Sequence, residues 1–496
     1  MTISELFSGV ALKHPLAPEI GMKEVEGLDF DSRRISPNWL FFAFPGSRSD
    51  GREFASDAAA RGAAAIASEF GPPEGLGHLW ITVEHGRHAL ALASRNFYGQ
   101  PDEHISLTGI TGTNGKTTTS YVLDSILRAA GHTTAVIGTI EYHLAGRVLP
   151  AVNTTPESLE LVRLFAELEK AGGTHAVMEV SSHALALGRV YGFRFHTAVF
   201  TNLTRDHLDF HQTMDAYFGA KQTLFEGAGG PPPQFAVINR DDDFGRKLKF
   251  SPKTKTIGYG LGADSELRAR HISYSFEGLH FEMQYGKQRF SVNSPLLGKI
   301  NVYNVLAAAG AGFSYAIAPE MILQGIAQLR AVPGRFERVD QGQPFIVVVD
   351  YAHTHDALRN VIAVARGLNP KRVITLFGCG GDRDRTKRPL MGQAAAEASD
   401  FVVLTSDNPR SEDPLTIMND ALVGIRRTDV PHVVEPDRAT AIARALKEAH
   451  DGDIVLLAGK GHETYQILKD RTIPFDDREV AREVLRGYGY HKPDRP

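Results

Sequence analysis

The stretch from His104 to Ala130 constrains this chain more than any other. A short β-like segment, His104-Ile105-Ser106-Leu107-Thr108, runs into Gly109-Ile110-Thr111-Gly112-Thr113-Asn114-Gly115-Lys116-Thr117-Thr118-Thr119. Tyr121, Val122, Leu123, Ile126 and Leu127 then recur near helical spacing, and Gly131 marks the stop. A glycine-rich turn that opens a helix aims backbone N–H groups and the positive end of the helix dipole at one point, which suits a phosphate. Lys116 is placed to reach the outer phosphates, and the Thr117 hydroxyl to ligate the Mg²⁺ that accompanies them. The generic loop has four residues between its two glycines, whereas five separate Gly109 from Gly115 here and Gly112 adds a flexible position. The alternative is a plain glycine turn with a solvent lysine. Gly-Lys-Thr after a strand favours an ATP site.

Length and composition set the frame. With 496 residues the chain exceeds one ordinary domain, and about three are expected. A net charge of −4 gives no reason to expect a nucleic-acid or membrane partner. Cys379 is the only cysteine, so a disulfide within the chain is impossible and a reducing compartment is expected. The start, Met-Thr-Ile-Ser-Glu, lacks the basic and apolar regions of a secretory signal, and no run of about 18 apolar residues is present. These features predict a cytoplasmic enzyme.

The pattern predicts an α/β chain of three domains: a smaller N-terminal α/β domain over 1–102, a central domain over 103–332 and a C-terminal Rossmann-like domain over 333–496. In the first, Ala55 to Ser68 reads as a helix, while Ser32 and Ser47 to Ser49 sit in loops where a polar ligand or plain turn chemistry fits equally. Alternating strands and helices in the second predict a mostly parallel sheet with helices on both faces. Thr155 with Pro156 reads as the cap and first residue of a helix whose buried face is Leu159, Val162, Phe165 and Leu168. Glu179 interrupts the apolar strand Ala176 to Val180 near the edge where such sheets bind ligands, and a Mg²⁺ held by Thr117 would partner it in preference to a salt bridge within the core. Asp206 to His211 has no cysteine nearby and lacks zinc-type spacing, so an oxygen-rich Mg²⁺ site with one imidazole fits it better than zinc, with capping and turn roles the default for any one residue. Lys221, on the helix-like segment Met214 to Glu226, reads by spacing alone as a solvated side chain. Pro231 to Val292 reads as hairpins and turns.

The C-terminal unit is expected to have strands at Phe345–Val349, Val373–Phe377, Phe401–Leu404, His432–Val434 and Ile454–Ala458, each ending in polar punctuation. Arg383, Asp407, Arg410 and Glu463, at that edge, together suit a zwitterion with both charged ends paired. Solvated charged turns are the alternative for any one loop.

The chain resembles the Mur ligases of peptidoglycan synthesis along its whole length. The resemblance rests on Gly112-Thr113-Asn114-Gly115-Lys116-Thr117, Glu179-Val180-Ser181-Ser182-His183 and Thr201-Asn202-Leu203-Thr204-Arg205-Asp206-His207. Asn301 with Asn304, Pro333-Gly334-Arg335 and Asp350-Tyr351-Ala352-His353 extend it. Asp407-Asn408-Pro409-Arg410 looks like the motif of the members that add meso-diaminopimelate rather than L-lysine. The resemblance implies an ADP-forming ligase that phosphorylates the D-glutamyl carboxylate of UDP-MurNAc-L-Ala-D-Glu and transfers the acyl group to the diamino acid. It implies ATP contacts from Gly112 to Thr118 and from Asn301, Arg335 and Asp350. It implies one Mg²⁺ on Thr117 and Glu179 and a second on His207, with Lys221 as a carbamylated bridge. Asn153, Thr154, Thr155, Ser181 and Arg189 would hold the muramoyl dipeptide and Ser32 the uridine end. Arg383, Asp407, Asn408, Pro409, Arg410, Gly459 and Glu463 would form the amino-acid pocket of a monomeric enzyme. Two positions depart from the family pattern: His355 replaces the usual proline, which should loosen a helix start, and Leu187 replaces a polar residue near the muramoyl group. A folylpolyglutamate synthase-type ligase or a nucleotide-driven switch are the rival readings.

Overall fold

The computed structural model describes residues 1–46, 49–275, 277–329 and 331–491. The chain forms two compact units, one of Met1–Arg270, Met283–Phe290 and Tyr303–Ile326, the other of His271–Glu282, Ser291–Val302 and Ala327–Pro496. Ser47, expected to border a ligand loop, lies outside the described residues.

The first unit opens with a parallel sheet, β1 (Gly27–Asp29), β2 (Trp39–Phe42), β3 (Ala65–Ser68) and β4 (Trp80–Thr82), paired in chain order. Alternate residues feed opposite faces, as period-2 geometry requires: Leu40 and Phe42 pack with Leu90 and Ala93, Phe41 with Ala55 and Ala58. The helix expected over Ala55–Ser68 is corrected here. It stops at Ala60, Gly62 adopts φ +87°, and Ala65–Ser68 is the central strand β3, buried at every residue. Alanine-rich sequence favours helix locally, but a segment with both faces covered is better served as a strand.

The large sheet of the chain has β5 (Ser106–Thr111), β6 (Thr134–Ile137), β7 (Glu141–Leu144), β8 (Arg147–Pro150), β9 (His175–Glu179), β10 (Phe195–Phe200), β11 (Phe235–Asn239), β12 (Lys255–Gly260), β13 (Leu267–Ser275), β14 (Gly278–Tyr285) and β15 (Gln288–Ser294). Their order is β15-β14-β13-β12-β11-β10-β5-β9-β6-β7-β8, and the pairings from β13 through β6 are parallel. Helices cover both faces: Phe165 and Phe225, from Ser158–Lys170 and Met214–Glu226, join Leu107, Met178 and Ala198 in one core. Helix Lys116–Ala129 buries Val122, Leu123, Ile126 and Leu127 away from that core. β11, β12 and β13 correct the expectation of hairpins throughout 231–292. Only the later part of that region is a meander.

The second correction concerns the helix after Asn153. It begins at Ser158 with Glu157 as cap, not at Pro156, while Leu159, Val162, Phe165 and Leu168 are fully buried as expected. Thr155 instead donates its hydroxyl to the Glu179 carbonyl at 2.9 Å. A local Thr-Pro signal yielded to a bond across the sheet edge.

The second unit carries β16 (Glu337–Val339), β17 (Ile346–Asp350), β18 (Val373–Cys379), β19 (Phe401–Ser406), β20 (His432–Glu435) and β21 (Ile454–Ala458), ordered β16-β17-β21-β18-β19-β20. All neighbours are parallel except β16 with β17. Val348 and Phe377 face one helical layer, Val347 and Leu376 the other, giving the doubly covered sheet of a Rossmann-like domain. The helix His355–Gly367 starts without the missing proline, because the Thr354 hydroxyl accepts from the Ala357 N–H at 3.2 Å. Among the described residues no helix is long and apolar enough to cross a membrane.

Candidate active site

The loop between β5 and the helix Lys116–Ala129 is shaped by two close approaches. A Cβ on Gly112 (φ +148°) would lie 1.9 Å from the Thr201 hydroxyl, and one on Gly115 (φ +87°) 2.3 Å from Asn304 Oδ1. Only glycine fits such a cradle. Asn202 pins the loop, its carbonyl accepting from Thr113 N–H at 2.8 Å and its Oδ1 from Asn114 N–H at 3.0 Å. Lys116 and Lys221 each donate to the Gly112 carbonyl at 2.9 Å, so two cations converge on the turn. Thr117 and Thr118 are buried in the first helical turn, where the N–H groups and helix dipole point at the loop.

Glu179 ends β9, next to β5, and is buried. Thr139 satisfies both carboxylate oxygens, its N–H donating to Oε1 at 2.9 Å and its hydroxyl to Oε2 at 3.1 Å. Among the described residues no group of three or more His, Cys, Asp or Glu side chains is arranged for a metal ion. The local donors are instead a hydroxyl (Thr117) and a carboxylate (Glu179), hard oxygens that fit Mg²⁺ better than a soft metal.

His207 lies at φ +53°, just before the short helix Leu208–His211, with its ring 4.9 Å from His183 and 6.0 Å from Tyr217. Its side chain is half exposed; desolvation, His183 and the two lysines lower its imidazole against the pull of Asp206, favouring the neutral form that can act as a ligand. Lys221 is not the solvated side chain its spacing suggested. It is 1% exposed, lies 4.7 Å from the Tyr217 ring centre, and is held well below the usual amine range by burial and then by Lys116.

The residues expected to hold the muramoyl dipeptide cluster beside Glu179. Ser181 caps the helix Ser182–Ala186 and donates its N–H to the Thr155 hydroxyl at 3.1 Å. Thr154 shares a hydroxyl contact with Thr139 at 3.1 Å. Arg189 bonds Glu157 at 2.9 Å and the Thr155 carbonyl at 2.9 Å. Asn153 is exposed, and its backbone is fixed by the Tyr142 hydroxyl. Ser32 is buried at the end of the N-terminal sheet, on a single turn capped by Asp31.

In the second unit Asp407, Asn408, Pro409 and Arg410 follow β19, and Gly459 to Glu463 follow β21. Asn408 Nδ2 donates to Glu463 Oε2 at 2.9 Å, and Arg410 (φ +53°) reaches the Gly381 carbonyl at 2.8 Å. Gly459 (φ +116°) has no room for a Cβ, which would stand 2.7 Å from Asp407 Oδ2. Arg383 is exposed and flanks Gly380 along with Arg410. Asp350 accepts from Phe336 and Ala352 N–H at 2.7 and 2.9 Å, and burial raises its carboxyl while Arg335 opposes. The Arg335 guanidinium lies 5.0 Å from the Tyr351 ring centre, and Asn301 Nδ2 donates to the Leu297 carbonyl at 2.7 Å.

Sequence reasoning missed Asn202, Tyr217, Thr139 and Lys460 as parts of these clusters. Asn202 and Lys460 lie inside polar strand ends and had a weak signal. Tyr217 and Thr139 had none, since their partners are far along the chain.

The chain matches the descriptions Mur ligase family, catalytic domain, over residues 24–98, Mur ligase middle domain over 110–312, and Mur ligase, glutamate ligase domain, over 334–461. A protein of Solibacter usitatus named UDP-N-acetylmuramoyl-L-alanyl-D-glutamate–2,6-diaminopimelate ligase is 72% identical over 99% of this chain and 100% of its own length. One of the same name from Geobacillus thermodenitrificans is 44% identical over 94% of this chain and 96% of its own. The solved structure of a protein with that name has a TM-score of 0.71 at 32% identity, covering 99% of both chains. With this loop, these sheets and that similarity along nearly its whole length, the chain belongs to the Mur ligase family.

Proposed function

We propose that this chain joins meso-2,6-diaminopimelate to the D-glutamyl carboxylate of UDP-MurNAc-L-Ala-D-Glu, consuming ATP and releasing ADP and phosphate. The observation that carries the reading is the convergence of Lys116 and Lys221 on the glycine cradle at Gly112, beside the buried Glu179. The names of the relatives supply the substrates. The carboxylate oxygen attacks the γ-phosphorus as ADP leaves; the amine then attacks the acyl carbon, losing a proton, and phosphate leaves. Lys116 and the N–H groups of residues 113–118 offset charge on the transferring phosphoryl group.

Thr117 and Glu179 would hold a Mg²⁺, with His207 and a carbamylated Lys221 at a second. The metal would neutralise phosphate charge when bound. Burial and the neighbouring Lys116 lower the Lys221 amine, which eases loss of its proton to the form that adds carbon dioxide. Ser32, Asn153, Thr154, Thr155, Ser181 and Arg189 would bind the UDP-dipeptide, and Asn301, Arg335 and Asp350 the nucleotide. In this reading Arg410 pairs with the distal carboxylate of diaminopimelate and Glu463 or Asp407 with its distal amine, while Arg383, Asn408, Pro409 and Gly459 complete the pocket. L-Lysine would leave Arg410 without that carboxylate. Residues 1–102, 103–332 and 333–496 would act as UDP-substrate, ATP and amino-acid domains of a cytoplasmic monomer.

The test is phosphate release with ATP, Mg²⁺ and UDP-MurNAc-L-Ala-D-Glu, comparing meso-diaminopimelate with L-lysine. Turnover with diaminopimelate alone, lost on chelating the metal, is expected. Equal turnover with lysine would overturn the specificity, and silence with both would overturn the reaction.

A further inference from the structure

The cluster after β19 and β21 contains a cation that the roles assigned above leave unused. Lys460 is fully buried. Its neighbours turn it inward: Gly459 has φ +116°, Gly461 has φ +53° with no room for a Cβ beside Tyr351, and Glu463 N–H closes the turn on the Lys460 carbonyl at 2.9 Å. The ammonium donates to Asn408 Oδ1 at 3.2 Å and to Glu463 Oε2 at 3.1 Å. Asn408 Nδ2 donates to the same Glu463 oxygen, so three side chains close one triangle. The Ile467 N–H takes the other face of Asn408 Oδ1 at 2.9 Å, which fixes the amide orientation.

The charges decide what such a triangle favours. Asp407 and Glu463 bring two negative charges, and Arg410 with Lys460 two positive ones, with Arg383 at the exposed rim. The fully buried pair Arg438–Asp477 beneath them is internally neutral. The distal end of diaminopimelate carries an ammonium and a carboxylate, summing to zero, whereas the distal end of L-lysine carries an ammonium alone. A pocket whose inner charges already cancel, with Arg383 at the rim screened by solvent, accepts the first without surplus. It accepts the second only with an unmatched positive charge, which is costly in a desolvated site. Without Lys460 the pocket would hold a spare carboxylate charge, suited to a lone ammonium.

We propose that Lys460 is a specificity-determining residue. By neutralising Glu463 and orienting Asn408 it biases the pocket toward a zwitterionic end and against a lone ammonium. This inference rests on the ligase reading above. It adds to the role of Arg410 in one respect: Arg410 rewards the carboxylate, and Lys460 penalises its absence.

The experiment is steady-state phosphate release by the full chain with ATP, Mg²⁺ and UDP-MurNAc-L-Ala-D-Glu, with either amino acid saturated in turn. Lys460→Gln retains a neutral donor on a side chain one bond shorter and removes the charge, and Asn408→Asp leaves Lys460 in place and cancels it. Either variant should raise KM for diaminopimelate about tenfold while KM for ATP and the UDP-dipeptide stays within about twofold. The preference for diaminopimelate over lysine, as a ratio of kcat/KM, should fall at least about tenfold. Lys460→Arg should retain most of that preference, and a loss as large as that of Lys460→Gln would overturn the charge argument. If Lys460→Gln does not fold, judged by thermal melting, Asn408→Asp reads the same quantity. An unchanged preference in the folded charge variants overturns the inference while leaving the ligase reading intact. An unaltered chain silent toward diaminopimelate overturns both.

Discussion

The loop after β5 and the loops after β19 and β21 handle charge in opposite ways. Around Gly112 two lysines point at one carbonyl, and Lys221 is pushed well below the usual amine range by burial and by its neighbour. Around Asp407 each buried cation has a carboxylate beside it: Lys460 with Glu463, Arg438 with Asp477 at 2.6 Å, Arg388 with Glu412 at 2.7 Å and Asp420 at 2.9 Å. A site with concentrated positive charge is built for a polyanion that arrives later, and its fold carries the repulsion. A site with matched charges selects among zwitterions by geometry, and its fold depends on each partner. The lesson is that breaking the two regions should fail in different currencies, stability in the second and turnover in the first.

The sharpest way to break that contrast is Asp477→Asn. It leaves Arg438 fully buried without its ion-pair partner, bonded to the Ala458 and Ser406 carbonyls and attracted by the farther Asp407 and Glu463. Loss of about 3–5 kcal/mol of unfolding free energy is expected from denaturant titration. A loss below about 1 kcal/mol would mean the second region does not depend on matched charges. Next is Lys116→Met, where kcat/KM for phosphate release should fall about 10²–10³-fold while the denaturation midpoint shifts by no more than about 1 kcal/mol. Removing one of two converging cations relieves repulsion, so a large destabilisation here would erase the contrast.

Gly115→Ala tests the cradle itself. At φ +87° the new Cβ would press on Asn304 Oδ1, at a cost of about 1–3 kcal/mol borne by the loop or by Asn304. The expected outcome is a raised KM for ATP with KM for the amino acid unchanged. Equal rises in both would show that the strain spreads beyond the cradle.

The sequence made the first region legible and the second only partly so, for a physical reason. A phosphate cradle is local: strand, glycines, lysine and helix follow one another within His104 to Ala130, so spacing alone carries the chemistry. Spacing does not report the burial of Lys221, which depends on Tyr217 and on Gly112, 109 residues away. Alanine favours helix across Ala55–Ser68, and nothing local reports that both faces of Ala65–Ser68 are covered. The Thr155 cap failed the same way, its hydroxyl drawn to the Glu179 carbonyl 24 residues on. In the second region the strand ends were visible as polar punctuation, but the pairing of Lys460 with Glu463 and Asn408 is tertiary information.

The smallest effect comes from the opposite end of β9, the strand that carries Glu179. His175 opens that strand with its ring 4.0 Å from His132 and 4.8 Å from Tyr315, while His196 stacks on Tyr315 at 4.4 Å. The Thr174 hydroxyl lies 2.8 Å from His175 Nδ1, and the Thr108 hydroxyl 2.6 Å from the Tyr315 hydroxyl. Burial pulls the His175 imidazole down to about 4, helped by His132 and His196, and burial lowers His196 as well. The unfolded chain therefore binds the proton first. Stability is complete above the unfolded value of 6.5, declines as pH falls below it, and levels off near 4 for His175. Allowing for solvent screening, the decline should be on the order of 0.5–1 kcal/mol per pH unit, read as denaturant midpoints between pH 7 and 5. His175→Leu should make it shallower, the other lowered histidines such as His196 keeping the rest, without touching the pH dependence of turnover at neutral pH. This separates acid sensitivity of the sheet from the chemistry at its other edge, because the same strand ends in Glu179 and a shared origin would move both together.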